Sequence, residues 1–413
     1  MGSGSEFDAG IERRGTNCYK WDRRPVNAAG EPVLPMWVAD MDFACAPAIQ
    51  RALDARIAHP VYGYAFESPE NRRAFCEWQR GRNDWTVDER WLVQAPSVMP
   101  AVRAAILAFA EPGDEVVIQT PVYYPFFDAI RENGRSILAN PLYEDASPGD
   151  GEPRDEPRGV RYRMDLDQLE ESISPRTRIL LFCSPHNPVG RVWTLRELTD
   201  LAEICVRHGL IVISDEIHCD IRRAGVDFTP LMKVGPEIAA RTVACHSVSK
   251  TFNLAGIASA QIVIPDDHLR ARMKAALGRL GMTLPNALSL AAAGAAYGES
   301  ADWADALIRY LDDQIAWFTA AIHDRIPAIG LSRIEGTYLA WLDFRQVLRR
   351  TGTTHREAER TLLEDAALWL SDGMQFGDNG EGFFRMNLAA PRSVAEDGLE
   401  RLVRAVRLLE DRA

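Results

Sequence analysis

From about residue 114 to 264 the chain alternates short runs of apolar, largely β-branched residues with segments whose apolar positions recur at helical spacing. Runs 115–118, 178–183, 210–214, 242–245 and 261–264 are apolar at consecutive positions, the pattern of strands covered on both faces in a parallel sheet. Between them, residues 194–208 place Leu195, Leu198, Leu201, Ile204 and Cys205 on one helical face, with Thr194 as N-cap and Gly209 as stop, predicting a crossover helix. The stretch 143–162 is dense in Pro, Gly, Asp, Glu and Arg and predicts a solvated loop. Beyond residue 286 the character changes. Residues 288–324 read as helical, 336–343 alternate, 383–388 read as a strand, and 394–409 form an amphipathic helical pattern. The expectation is an α/β chain with a large domain over 48–287 and a smaller α+β domain formed by 8–47 and 288–413. The Gly/Ser-rich start, residues 1–7, reads as an expression scar outside the fold.

Composition narrows the function classes. In 413 residues, 46% are hydrophobic and 26% charged, ample for a large core, and the net charge of -12 disfavours phosphate backbones and anionic lipid, so no nucleic-acid or membrane partner is expected. The apolar segment 287–297 is too short and too interrupted for a membrane span. Seven scattered cysteines without C-x-x-C spacing predict a reduced, cytoplasmic protein with no metal site.

Candidate chemistry collects at strand ends. In His246-Ser-Val-Ser-Lys-Thr-Phe-Asn253, Lys250 follows a strand through a Ser-rich turn, and a lysine at the carboxyl edge of a parallel sheet suits a Schiff base with a carbonyl cofactor. Ser214-Asp-Glu-Ile-His-Cys-Asp220 places Asp215 at the end of another strand, where a carboxylate holds the proton of a pyridine nitrogen and makes the ring an electron sink. Cys183-Ser-Pro-His-Asn-Pro-Val-Gly190 aims Asn187 into the same crevice, its turn set by Pro185 and Pro188. Each alone has a plainer reading: a surface lysine, a helix N-cap, an Asx turn. The three in this order are what raises them above it.

In that combination the chain resembles the fold type I, pyridoxal 5′-phosphate-dependent enzymes related to aspartate aminotransferase, from about Asn17 to its end. The resemblance implies a large domain with a mostly parallel, seven-stranded sheet between helices, joined to a smaller domain. It makes Lys250 the Schiff-base lysine, Asp215 the pyridinium partner, Asn187 the amide on the cofactor phenolate, Tyr123 the stacking aromatic and Ser247 a phosphate ligand. The turn carrying Ser97, Val98 and Met99 precedes a helical pattern, so its N–H groups suit a phosphate at a helix N-terminus. Arg385 resembles the arginine that forks onto the substrate α-carboxylate. Tyr64 resembles a tyrosine reaching the phosphate of a neighbouring subunit, which implies a homodimer with shared sites.

Two departures separate the branches of that family. His218 stands where aminotransferases usually carry tyrosine, and Ala258 where they carry a phosphate-gripping arginine. Both, with Asp215–His218 and the segments around Asp40, Tyr64, Trp193, Tyr338 and Asn387, are similar to the MalY/PatB branch of cystathionine β-lyases. His218 is then a further cofactor contact, to the phenolate or to Asp215. The implied reaction is α,β-elimination of an S-substituted L-cysteine to thiol, pyruvate and ammonia, with Lys250 as covalent anchor and general base. Two alternatives stay open: an aminotransferase, or other chemistry of the same cofactor on an intermediate of specialised metabolism; and a regulatory cofactor-binding protein.

Overall fold

The computed structural model describes residues 5–23, 26–27, 29–145 and 159–412. Seven strands build the central sheet: β1 (Leu92–Ala95), β2 (Glu115–Ile118), β3 (Ser136–Ala139), β4 (Thr177–Cys183), β5 (Ile211–Asp215), β6 (Thr242–His246) and β7 (Ala260–Val263), in the order β1-β7-β6-β5-β4-β2-β3. All neighbours run parallel except β7, which is antiparallel to both β1 and β6. The apolar runs become the interior strands for the expected reason: Ile179, Leu180, Leu181, Val212, Ile213 and Val243 are wholly buried, with alternate side chains entering the two cores on opposite faces. β1 and β3 escape the sequence pattern. β3 lies at the sheet edge, with none of its four residues buried, so it carries little apolar signal.

Helix Leu195–Arg207 starts at a capping box in which Thr194 and Glu197 bond reciprocally, as its sequence predicts. The segment expected to be helical forms two helices, Ala287–Glu299 and Ala301–Arg325, meeting at Ser300, whose hydroxyl donates back to the Ala295 carbonyl. The first of these packs against helices Pro47–Ala58 and Pro69–Asn83 through small residues such as Ala292 and Ala296. The second sheet is antiparallel: β8 (Gly330–Leu331), β9 (Leu339–Asp343), β10 (Ser371–Asp372) and β11 (Phe383–Asn387), in the order β8-β9-β11-β10, with helices Ala301–Arg325 and Arg392–Glu410 on its core.

Two expectations change. Phe7, assigned to the scar, is buried and packs edge-on against Phe43 at 5.2 Å and Trp303 at 5.6 Å; an aromatic side chain finds a core whatever the polar residues preceding it. Of the loop expected over 143–162, Tyr143–Asp145 pairs antiparallel with Arg161–Arg163, and 146–158 lie outside the described residues. Among the described residues no helix is long and apolar enough to cross a membrane.

Candidate active site

Register decides where the chemistry meets. Asp215 pairs with Cys183 on one side and Cys245 on the other, so β4, β5 and β6 end level. The turns that follow carry Asn187, the Asp215–Asp220 segment and Lys250 to one edge, the place where open α/β sheets bind ligands. There a cavity of about 160 Å³ is lined by Ser97, Val98, Met99, Tyr123, Asn187, Asp215, His218, Ser249 and Lys250, with Cys183, Ile217 and Ala255 between them. A cavity of about 510 Å³ around Arg223 and Asp312 is larger but holds none of these groups.

Lys250 sits on the four-residue helix Val248–Thr251, and its Nζ donates to the Ala39 carbonyl at 2.6 Å. Desolvation, reinforced by the Arg385 charge, brings its ammonium down to about 8, so a neutral amine is within reach near physiological pH. Asp215 is buried. Its Oδ1 accepts the Ile217 N–H at 3.1 Å, while Oδ2 has no partner among the described residues and is left for an occupant of the cavity. Burial pushes its carboxyl up to about 6, against the lowering effect of that N–H and of Lys250. Such a carboxylate gains most from a cationic ring N–H.

Asn187, next to the cis Asn187–Pro188 bond, is buried, and its Oδ1 accepts from Arg385 Nη1 at 2.9 Å. That bond fixes the amide orientation and leaves the nitrogen to donate into the cavity. Arg385, at the middle of β11, is 2% exposed; its other arm donates to the Trp37 carbonyl at 2.9 Å and Ser371 Oγ at 3.2 Å, and its Nε has no partner among the described residues. Burial lowers its guanidinium to about 10. His218 is buried with Nδ1 unpartnered, its ring edge-on to Tyr338, and burial next to Lys250 and Arg385 keeps it neutral. Tyr123 packs beside Tyr124 and Phe126, and burial pushes its hydroxyl up to about 12.

One end of the cavity is built from backbone. Helix Val98–Phe109 opens on the cavity, Ser97 provides no side-chain cap, and Pro100 has no N–H, so Val98 and Met99 present free donors at the positive end of the helix. Ser247, expected as a phosphate ligand, is buried and caps the Lys250 helix: its Oγ accepts the Ser249 N–H at 3.1 Å and donates to the Ser259 carbonyl at 2.5 Å. Ser249, whose Oγ lies 2.7 Å from that of Ser247, lines the cavity. Tyr64 lies outside its own chain's cavity, 94% exposed on an extended segment.

The segment 37–43 was recognisable by its Asp40-Met-Asp42 pattern but not by its contacts. Its carbonyls are held by Arg385 at Trp37, Lys250 and Tyr338 at Ala39, and Asn387 at Val38 and Asp40. Lys20, Trp21 and Arg13 converge on Asp42. No local sequence signal announces these bonds, because almost every partner is remote in the chain.

Behind Asp215, the wholly buried Glu216 accepts from Ser214 Oγ at 2.9 Å and places Oε2 3.3 Å from His246 Nε2. Burial pushes Glu216 up to about 8 and His246 down to about 3, so near neutral pH this pair is an acid and a neutral imidazole that add no charge beside Asp215. Folded Glu216 keeps its proton from the ordinary 4.5 up to about 8, while the unfolded chain releases it, so its penalty to folding grows as pH rises through that window. Glu216→Gln is expected to raise the melting temperature by a few degrees at pH 8 and to change it little at pH 5. Destabilisation at both pH values would show that the fold uses the ionised carboxylate.

The open acceptor of Asp215, the donors of Asn187 and His218, the aromatic Tyr123, the helix N-terminus and the amine of Lys250 together fit a planar pyridine ring bearing a phenolate, an aldehyde and a phosphate. A family model for aminotransferase class I and II matches residues 39–406. The chain is 37% identical to cystathionine beta-lyase PatB of Bacillus subtilis (strain 168) and 34% identical to protein MalY of Escherichia coli (strain K12), in each case over 97% of this chain and 99% of the relative. The crystal structure of cystalysin from Treponema denticola, which contains pyridoxal 5′-phosphate, matches with a TM-score of 0.89 and 34% identity over 98% of this chain and 100% of that one. The strand-end residues and the full-length likeness agree, and the chain belongs to the class I and II aminotransferase family of fold type I, pyridoxal 5′-phosphate-dependent enzymes, within it to the MalY/PatB branch of carbon–sulfur lyases.

Proposed function

We propose that this enzyme is a carbon–sulfur β-lyase that converts an S-substituted L-cysteine of the cystathionine type, with water, to a thiol, pyruvate and ammonia. The observation that carries the reading is a desolvated amine, Lys250, in one cavity with an open carboxylate oxygen of Asp215. Bound pyridoxal 5′-phosphate supplies a conjugated electron sink for the pair left at the substrate Cα. Asp215 holds a proton on the ring nitrogen, Asn187 donates to the ring oxygen, and the N–H groups of Val98 and Met99 with Ser249 hold the phosphate. Arg385 orients the substrate carboxylate, which its Asn187 and Trp37 bonds prepare it to do. Lys250, neutral above about pH 8, takes the Cα proton; a sulfur substituent at Cβ then leaves as thiolate.

The measurement is sustained turnover. Purified protein given L-cystathionine or another S-substituted cysteine, with no keto acid, is expected to form pyruvate and thiol in equal amounts over many turnovers. Activity that stops after one turnover and resumes only on addition of a keto acid would assign the aminotransferase reaction. Cofactor binding with no turnover of any amino acid would assign the regulatory role.

We further infer a homodimer with shared sites. Val61, Tyr62, Tyr64 and Phe66 form an apolar stretch whose residues are all more than 60% exposed, the kind of surface a second copy covers. Tyr64 is then placed to reach the partner's phosphate. Mixing Tyr64→Phe with Lys250→Ala protein should give heterodimers with one intact site and activity above either parent. No recovery after demonstrated subunit exchange would place Tyr64 outside the site.

A further inference from the structure

Asp220 does not line the cavity, yet its side chain is bonded to the helix that carries Lys250. It is a buried carboxylate, 6% exposed, and both oxygens are engaged: Trp78 Nε1 donates to Oδ1 at 3.1 Å and Thr251 Oγ1 donates to Oδ2 at 3.0 Å. No cation lies within ion-pair distance among the described residues, so the charge is held by two neutral donors in an apolar setting of Trp78, Phe252 and Tyr297. A carboxylate in such a place is expensive to bury, and an apolar residue would pack there at less cost. What it holds is specific. Thr251 is the residue after Lys250 and the last of a helix only four residues long.

That helix is too short to fix its own orientation. It is held at its start by Ser247, through Ser249 and Ser259. Beyond its end, Asn253 binds the backbone of Met41 and Phe43. Among the described residues, the Thr251 hydroxyl makes the only side-chain bond from the helix itself to the turn that carries Asp215. We propose that Asp220 is a positioning residue: through Thr251 it sets Lys250 at a fixed distance from Asp215, five positions upstream in the same turn. The proposal rests on Lys250 and Asp215 serving the cofactor, and not on which reaction follows.

Four variants test it: Thr251→Val, Thr251→Ser, Asp220→Asn, and Asp220→Asn with Thr251→Val. The readouts are the pH midpoint of the visible absorption band of the bound cofactor, the rate of cofactor release, and kcat and KM with S-substituted cysteine. Thr251→Val is expected to move the midpoint by about half a unit, speed cofactor release, and lower kcat about tenfold with KM within about twofold, the scale of a hydrogen bond to a charged group. Thr251→Ser, which keeps the hydroxyl, should behave as wild type. The double variant should be no worse than Thr251→Val alone in midpoint, release rate and kcat, since without the Thr251 hydroxyl residue 220 has no bond through which to act on the helix. Lower melting temperatures with unchanged spectra, release rate and kcat would reduce Asp220 to packing, as would effects that simply multiply. If Asp220→Asn fails to fold, the contrast between Thr251→Val and Thr251→Ser decides alone. A shifted midpoint and faster release in a protein that transaminates would uphold the positioning role while removing the lyase reading.

Discussion

Lys250→Ala is expected to lower turnover by about four orders of magnitude, because in the proposed reaction one side chain provides both the covalent anchor and the base for the Cα proton. No neighbouring group can replace it. Tyr123 keeps its proton to about 12, burial holds His218 well below its usual range and makes it a poor proton acceptor, and one oxygen of Asp215 already accepts the Ile217 N–H. In the wild-type protein, borohydride reduction followed by peptide mapping should place the cofactor on the peptide containing Lys250, and in the variant on none. Cofactor found on another lysine, or turnover within about a hundredfold of wild type, would overturn the assignment. The variant is expected to fold, since the bond lost with it, to the Ala39 carbonyl, leaves that carbonyl with Tyr338 as donor at 2.9 Å.

Arg385→Ala carries the second large effect. A buried guanidinium that meets a carboxylate through two parallel bonds contributes about 2–5 kcal/mol when one partner is removed, so kcat/KM should fall about a thousandfold, mainly through KM. Loss of the arginine also frees Asn187 Oδ1, while the Trp37 carbonyl keeps Ser371 Oγ as donor at 3.0 Å, so part of the decline should appear as a slower kcat through the loosened Asn187 amide. Arg385→Lys is expected to recover only a minor share, because an ammonium cannot span both Asn187 and Trp37 and still fork onto a carboxylate. Unchanged KM in Arg385→Ala would move the carboxylate site elsewhere. The cofactor absorption band serves as the control for folding in both variants.

The fold class was legible because the sheet interior is apolar on both faces, and that shows in sequence as continuous runs at β4, β5 and β6. Edge strand β3, with no buried residue, left no such trace. That three of the expected site residues share one cavity was legible for a related reason. Asp215 ends its strand and Asn187 and Lys250 each lie four residues beyond one, and a strand's end can be read from where its apolar run stops. Ser247 and Ser249 could not be separated in that way, because the choice between capping a helix and facing a cavity depends on a turn of two residues.

What the sequence determined by itself was the buried interior strands, their order along the chain, and the residue types at their ends, since periodicity and local caps act over a few residues. The tertiary structure decided which of those ends are level and what holds them. Level ends follow from the pairing of Asp215 with Cys183 and Cys245. Arg385 meets Asn187 across 198 positions, and Lys250 meets the Ala39 carbonyl across 211. Contacts of that separation carry no local pattern, because they are selected by the burial of polar groups that must find partners once water is excluded, wherever in the chain those partners lie.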